Sequence, residues 1–540
     1  MEERARVAAP AKTRVRPEPR ASIVYERAPG DAFAPLRPWQ RREPEKTVLW
    51  KLLTSELDDF LLKLQEATGR GLPGYIDREL RRYIDCGILE RGFARVVCSD
   101  CKREILVAFS CKGRGLCPSC TARRMADVAA HLVDRVIPRV PVRQFVITFP
   151  RRVRWHLAHD PKLAAEALTL CLRVIFTWQR CIARHRGVDF GAPRRSQSAR
   201  SAAVAFVQRF DSSLSLDWHI HALVCNGVFA RSGSDPDARP RFHRLPAPTD
   251  EDVATLLSTV ARRVLALLRR KGRLDDETEE PDDLQTQLEL SASRPLGRGG
   301  GEIPAPPPLC ARLEGFSLHA GRAIHENDRE GLEQLARYCA RPALSLARLS
   351  ITDDGLVRYR MKRVFSDGRS EVLLPPHDFI ARICALIPQP RIHLVRYFGA
   401  FAPTARGRAA LVGKRNKSTP ESAATVDKRA DPPPAASAGE DATSLGAPPP
   451  DPDRSPRLDW AALLQRIYKI DALVCSACGG RLRVIALLTD ERVVRRILDH
   501  VGIPRVVLAA RARPPPPQGA LAFASAGDGD DPCVDPLPAD

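Results

Sequence analysis

The sequence predicts a multidomain α+β protein, with a zinc-binding, partly helical N-terminal domain ahead of a larger domain built on a central antiparallel sheet. Three observations carry this expectation. Cys98-x2-Cys101-x15-Cys117-x2-Cys120 has the spacing of a four-thiolate zinc site. Two apolar runs, 202–210 and 218–229, flank a Ser-rich turn (Ser212, Ser213, Ser215) and read as adjacent strands. Helical periodicity dominates the segments around them, and 540 residues at 44% hydrophobic content are enough for about two to four domains with real cores.

The elements follow in order. Residues 1–45 are rich in Arg, Pro and Ala without a period, and read as a disordered basic arm. Residues 46–140 form the expected zinc domain. Leu49, Leu52, Leu53, Leu57, Phe60, Leu61 and Leu64 recur at helical spacing. After the cysteine block, a helix is expected from near Thr121 through Val136, stopping before Pro138. Residues 141–404 form the larger domain. It opens with a strand over 144–149 ending at Pro150, followed by a helix over 161–186, the strand pair and a helix over 250–270. Residues 272–309 are first acidic and then Gly- and Pro-rich, which marks a loop insertion. A helix from Asp328 to Ala340, strands at 356–364 and 371–374, and a helix over 376–386 complete the domain. Residues 405–456 read as a disordered linker, 457–505 as a small C-terminal module, and 506–540 as a disordered tail.

The net charge of +20 favours a polyanionic partner, with nucleic acid the first candidate. Met1-Glu2-Glu3-Arg4 opens without an apolar signal region, and no apolar run approaches the length of a membrane span. Fifteen cysteines in such a chain argue for metal ligands and free thiols over disulfides. A cytoplasmic, nucleoid-associated protein is the expectation.

Cys98, Cys101, Cys117 and Cys120 are the expected structural Zn²⁺ ligands, since four thiolates close the coordination sphere. Cys86 and Cys111 lie close by and could replace a ligand or hold a second site. Cys475-x2-Cys478 is one knuckle, half of a site, with only His500 and Cys533 after it. A complete second site there is not expected.

Asp217-Trp218-His219-Ile220-His221 places two histidines one residue apart. On a strand both imidazoles share one face, while Ile220 and Ala222 enter the core behind them. Two imidazoles in reach of each other can hold Mn²⁺ or, in a mixed site, Mg²⁺. Gln208 is the expected third ligand, because antiparallel pairing across the Ser-rich turn sets it near His219. Asp217, of the same parity as the histidines, is the alternative. A nucleophile for phosphodiester transfer completes such a site. Of seven tyrosines, Tyr338 is the candidate: its helix opens at Asn327 with Glu330 at the capping-box position, and Leu332, Leu335, Ala336 and Cys339 form the apolar stripe. Tyr338 is displaced from that stripe toward Gln334 and Arg341. Arg341 is a phosphate-binding candidate, and Pro342 ends the helix.

These residues resemble the IS91-type transposases. The resemblance rests on Val207-Gln208-Arg209-Phe210 with Leu214 through His221, on Phe109-Ser110-Cys111-Lys112 with Cys117-Pro118-Ser119-Cys120, and on Asp328 through Glu333 with Arg337 through Pro342. Residues 388–399 and 470–481 are similar to the family's downstream and C-terminal blocks. The resemblance implies an HUH-type single-strand DNA endonuclease and strand transferase, moving DNA by a rolling-circle-like route through a 5′-phosphotyrosyl intermediate at transposon ends. It implies that the zinc domain recognises element ends, with host replication proteins as candidate partners. Founding members carry two tyrosines four residues apart, whereas position 334 here is Gln, so the chain resembles the single-tyrosine, ISCR-like subgroup. A rolling-circle replication initiator or relaxase, and a non-catalytic zinc-dependent DNA-binding protein, are the alternatives.

Overall fold

The computed structural model describes residues 37–38, 42–188, 200–230, 240–273, 307–362, 368–405, 408–411 and 470–503. Most of the expected basic arm, insertion and linker, and all of the tail, lie outside the described residues. Helix α1 (Val48–Thr68) starts at Thr47, whose hydroxyl accepts the Trp50 amide at 3.3 Å, and stops at Gly69 in the left-handed region. It packs Leu49, Leu53 and Leu57 inward against Ile76 and Leu80 of α2 (Gly74–Ile84). A hairpin follows, β1 (Phe93–Cys98) with β2 (Glu104–Ala108), and then α3 (Pro118–His131), which widens into a π turn at Leu132–Val136.

The larger region contributes β3 (Val142–Thr148), α4 (Arg151–His159), α5 (Pro161–His185), β4 (Ala202–Phe210), β5 (Leu216–Cys225), β6 (Gly227–Ala230), β7 (Arg241–Arg244) and α6 (Asp250–Arg270). Beyond the insertion come β8 (Cys310–Leu313), β9 (Phe316–His319), β10 (Ala323–Ile324), α7 (Arg329–Cys339), β11 (Leu349–Ile351), β12 (Val357–Arg360), β13 (Glu371–Leu374), α8 (Pro376–Leu386) and β14 (Val395–Gly399). The C-terminal segment adds β15 (Leu482–Leu488) and α9 (Glu491–Val501).

Seven strands form the central sheet in the order β14-β4-β5-β3-β9-β8, with β10 also paired to β3; every pairing is antiparallel. The run expected as one strand over 218–229 is two. Asn226 interrupts it by donating its backbone amide to Pro141 O at 2.8 Å and its side-chain amide to Leu245 O at 3.1 Å. β6 then leaves the sheet and pairs with β7. Helix α4 was not expected; its start immediately after Pro150 explains why the strand before it ends there.

Strand alternation divides the sheet into two faces. Ala203, Ala205, Ile220, Ala222 and Val224 join the core beneath α5 and α6. Val204, Phe206, Leu223 and Cys225 join a second core with Leu332, Leu335, Ala336 and Cys339 of α7 and with Ala129 next to the π turn. His219 and His221 share the parity of Leu223, so they emerge on the α7 face. Among the described residues no helix is long and apolar enough to cross a membrane.

Candidate functional site and the cysteine clusters

β5 is flanked on both sides, by β4 and β3, so its backbone is fixed and its side chains are aimed by the sheet. The turn before it is tied by Asp211, whose carboxylate accepts the backbone amides of Ser213 at 2.8 Å and Ser215 at 2.9 Å. That turn sets Gln208 opposite His219, and a bulge between Gln208 and Phe210 follows at once. Bulges of this kind commonly re-aim side chains beside functional sites.

The imidazoles of His219 and His221 lie 5.0 Å apart, centre to centre. Nδ1 of His219 donates to the Asp217 carbonyl at 2.7 Å, which leaves Nε2 with its lone pair. The Asp217 carboxylate pairs with Arg154 at 3.0 Å and lies 3.8 Å from the same Nδ1, on the far side of the ring from Nε2. Nδ1 of His221 is 2.8 Å from the amide of Gln144 on β3. The atom nearest Nδ1 is the amide nitrogen, which donates to it as placed. Nε2 of His221 is buried without a hydrogen-bond partner among the described residues, and ligation through it requires the amide turned so that its oxygen accepts from Nδ1–H. Burial lowers the pKa of both rings. For His221 it falls to about 3, with His219 and Arg341 adding to the effect; for His219 burial outweighs the nearby Asp217 charge. Both imidazoles are therefore neutral near pH 7, the state in which they ligate metals.

Gln208 bridges β4 to the end of α7. Its Nε2 donates to Cys339 O at 2.7 Å and Tyr338 O at 3.3 Å, while its Oε1 is buried and unpartnered among the described residues. Tyr338 stands edge-on to His221, with ring centres 5.9 Å apart. It is 37% exposed whereas His221 is 4% exposed, so a polymer could reach the phenol but not pass behind the imidazoles. Arg341 lies over the Tyr338 ring at 4.3 Å and Lys362 over it at 5.2 Å. Nη1 of Arg341 is a third buried polar atom without a hydrogen-bond partner among the described residues. The helix itself is capped by Asp328 and not by Asn327 as expected: the Asp328 carboxylate accepts the Gly331 amide at 2.7 Å.

Two imidazole nitrogens and an amide oxygen fit a mixed site for a divalent cation such as Mn²⁺ or Mg²⁺. The buried unpartnered atoms, His221 Nε2 and Gln208 Oε1, are the observations that speak for one, because leaving such groups unsatisfied is costly. Gln144 is the member of this constellation that was not anticipated; its only signal was a polar residue inside an apolar strand.

The four cysteines expected to share one ion are not brought together. Cys117 and Cys120, at the start of α3, meet Cys86 and Cys111: Cys86 Sγ lies 3.6 Å from Cys117 and 3.8 Å from Cys120, and Cys111 lies 3.4 Å from Cys120. A tetrahedral zinc ion with bonds near 2.3 Å separates its sulfurs by about 3.8 Å, so this set fits. Arg42 braces it, donating to Cys86 O at 2.7 Å and to Ser119 Oγ. Cys98 and Cys101 sit at the tip of the β1–β2 hairpin, and Cys86 and Cys111 at its base. Six extended residues carry the tip roughly 20 Å away, which a spacing rule cannot see. There Cys98 and Cys101 meet Cys475 and Cys478.

Residues 56–149 match the model of a transposase zinc-binding domain of the IS91 type, and residues 202–409 match that of a putative transposase. The putative transposase y4qJ of Sinorhizobium fredii (strain NBRC 101917 / NGR234) is 26% identical over 313 residues, covering 56% of this chain and 68% of that protein. No solved structure matches the chain. The chain thus matches a zinc-binding domain of IS91-type transposases and, C-terminal to it, a putative-transposase region, in that order.

Proposed function

We propose that the chain is an HUH-type strand transferase. It would cleave single-stranded DNA at the ends of its own element with Tyr338 as nucleophile, and transpose by a rolling-circle-like route. The observation that carries this reading is the convergence of Tyr338 with His221, Gln208 and Arg341, three residues that each present a buried polar atom without a hydrogen-bond partner among the described residues. A divalent cation, Mn²⁺ or Mg²⁺, held by His219, His221 and Gln208 would supply positive charge to the scissile phosphate.

Tyr338 Oη attacks the scissile phosphorus in line. A bond from Oη to phosphorus forms and the bond from phosphorus to O3′ breaks. The phenolic proton is released and the departing O3′ takes up a proton, so a 3′-hydroxyl leaves and the 5′-phosphate stays on the tyrosine. Arg341 contacts a non-bridging phosphate oxygen through its guanidinium, which lies over the phenol ring. Gln208 keeps the nucleophile in register, since its amide holds the carbonyls of Tyr338 and Cys339. One phosphodiester is exchanged for another, so a later 3′-hydroxyl can attack the phosphotyrosine and regenerate Tyr338. With Gln at position 334, a single nucleophile is used again for the second transfer.

The test is a labelled single strand from the element's flank, incubated with protein and Mn²⁺ and resolved on a denaturing gel. A covalent adduct is expected with the native protein and none with Tyr338→Phe, which still folds and binds the strand. Adduct formation by Tyr338→Phe would overturn the assignment.

A further inference from the structure

We propose that Cys98, Cys101, Cys475 and Cys478 bind a second, structural zinc ion that clasps the C-terminal segment to the N-terminal hairpin. Cys475 and Cys478 lie outside both regions matched to known families. The inference stands apart from the nuclease reading.

The four sulfurs all lie within 4.8 Å of one another. Across the junction, Cys98 Sγ is 3.5 Å from Cys478 Sγ, and Cys101 Sγ is 3.7 Å from Cys475 Sγ. These distances are far beyond a disulfide bond of about 2.05 Å, and close to the roughly 3.8 Å edge of a zinc tetrathiolate.

The two pairs are built as the same turn. In the first, the Cys98 amide donates to Arg103 O at 2.9 Å; in the second, the Cys475 amide donates to Gly480 O at 2.8 Å. Each bond spans five residues. In each, the residue after the second cysteine is left-handed: Lys102 at φ 60° and Gly479 at φ 75°. A lysine held in that conformation is unusual, and here it matches the demand of a metal knuckle. The Gly480 amide points at Cys478 Sγ, 3.4 Å away, as expected for a thiolate acceptor. A Cβ on Gly480 would meet Asp100 and would come 2.9 Å from Cys98 Sγ, so only glycine lets the knuckles approach.

The clasp has a structural consequence. The Ser99 amide donates to Arg481 O at 2.9 Å, and β15 then adds to β1 as a third antiparallel strand, with Leu482 opposite Cys98. Val494 and Leu498 of α9 cover Leu89, Phe93 and Leu106. That core holds five buried residues, too few to fix the segment alone. The ion therefore joins parts of the chain that lie on either side of the transposase region, making the zinc domain discontinuous in sequence.

Zinc counted by mass spectrometry on the full-length protein should give two ions per chain, falling to one in Cys475→Ser/Cys478→Ser. Hydrogen exchange should then show β15 losing protection while α5 and α6 keep theirs. Cobalt titration of the metal-free native chain should saturate at two equivalents, with thiolate-to-cobalt charge-transfer absorption. One ion in the native protein, one cobalt equivalent, or an unchanged count in the double variant would each overturn the proposal.

Discussion

Gln144 has no reactivity of its own, yet it stands against a candidate metal ligand. It sits on β3, its amide touches Nδ1 of His221, and it lies 3.4 Å from Cys339 Sγ on the tyrosine helix. Partners that fix the far nitrogen of a ligating histidine are commonly worth about 10–100-fold in metal affinity. Gln144→Ala should therefore raise the Mn²⁺ concentration for half-maximal cleavage by about 10-fold or more, with unchanged thermal unfolding of the metal-free protein. An unchanged Mn²⁺ dependence would show that Gln144 only fills space. The histidines were legible in the sequence because strand parity alone puts 219 and 221 on one face. Gln208 was legible because a short turn connects its strand to theirs. Gln144 was not, because its position depends on the register of β3 against β5, where it faces Leu223 and reaches His221 diagonally. The register of two strands far apart in sequence is set by the whole sheet.

At the scale of elements, apolar periodicity located α1, α3, α5, α6, α7 and α8 because each buries one stripe on a sheet or helix. The ends were harder. Asn327 and Asp328 are both good caps, and sequence alone chose the wrong one of two adjacent residues. Asp328→Ala should destabilise the protein by about 1 kcal/mol in urea unfolding, whereas Asn327→Ala should cost under about 0.5 kcal/mol. The reverse order would mean that the helix starts a residue earlier. α6 carries a reciprocal cap: Asp252 N donates to Thr249 Oγ1 at 3.1 Å, and Thr249 N donates to Asp252 Oδ2 at 2.8 Å. Thr249→Ala and Asp252→Ala should each cost about 1 kcal/mol, and the double variant less than their sum, because both remove one motif. The β1–β2 hairpin is the element that periodicity and spacing do not reveal, and it decides how the cysteines group. Once it is in place, the cysteines at its base and tip cannot share an ion. The real partners of its tip lie beyond residue 470, where no local spacing could indicate them.

Across the whole molecule, a net charge of +20 is carried by a chain in which the region matched to a putative transposase, residues 202–409, lies in sequence between the cysteines of residues 86–120 and the pair Cys475 and Cys478. If phosphate neutralisation supplies most of the affinity, single-strand binding should fall by about three orders of magnitude between about 50 and 200 mM salt. A flat response would argue that stacking or base contacts dominate. Whether Tyr338 is the residue that carries DNA is read directly by mapping the covalent adduct. The native protein is trapped on a single strand carrying its element end, digested, and sequenced by mass spectrometry to find the residue that holds DNA and the end it holds. A single modified peptide is expected, with a 5′-phosphate esterified to Tyr338 and a free 3′-hydroxyl on the released strand. A 3′-phosphate link, or DNA carried on any other residue, would contradict it.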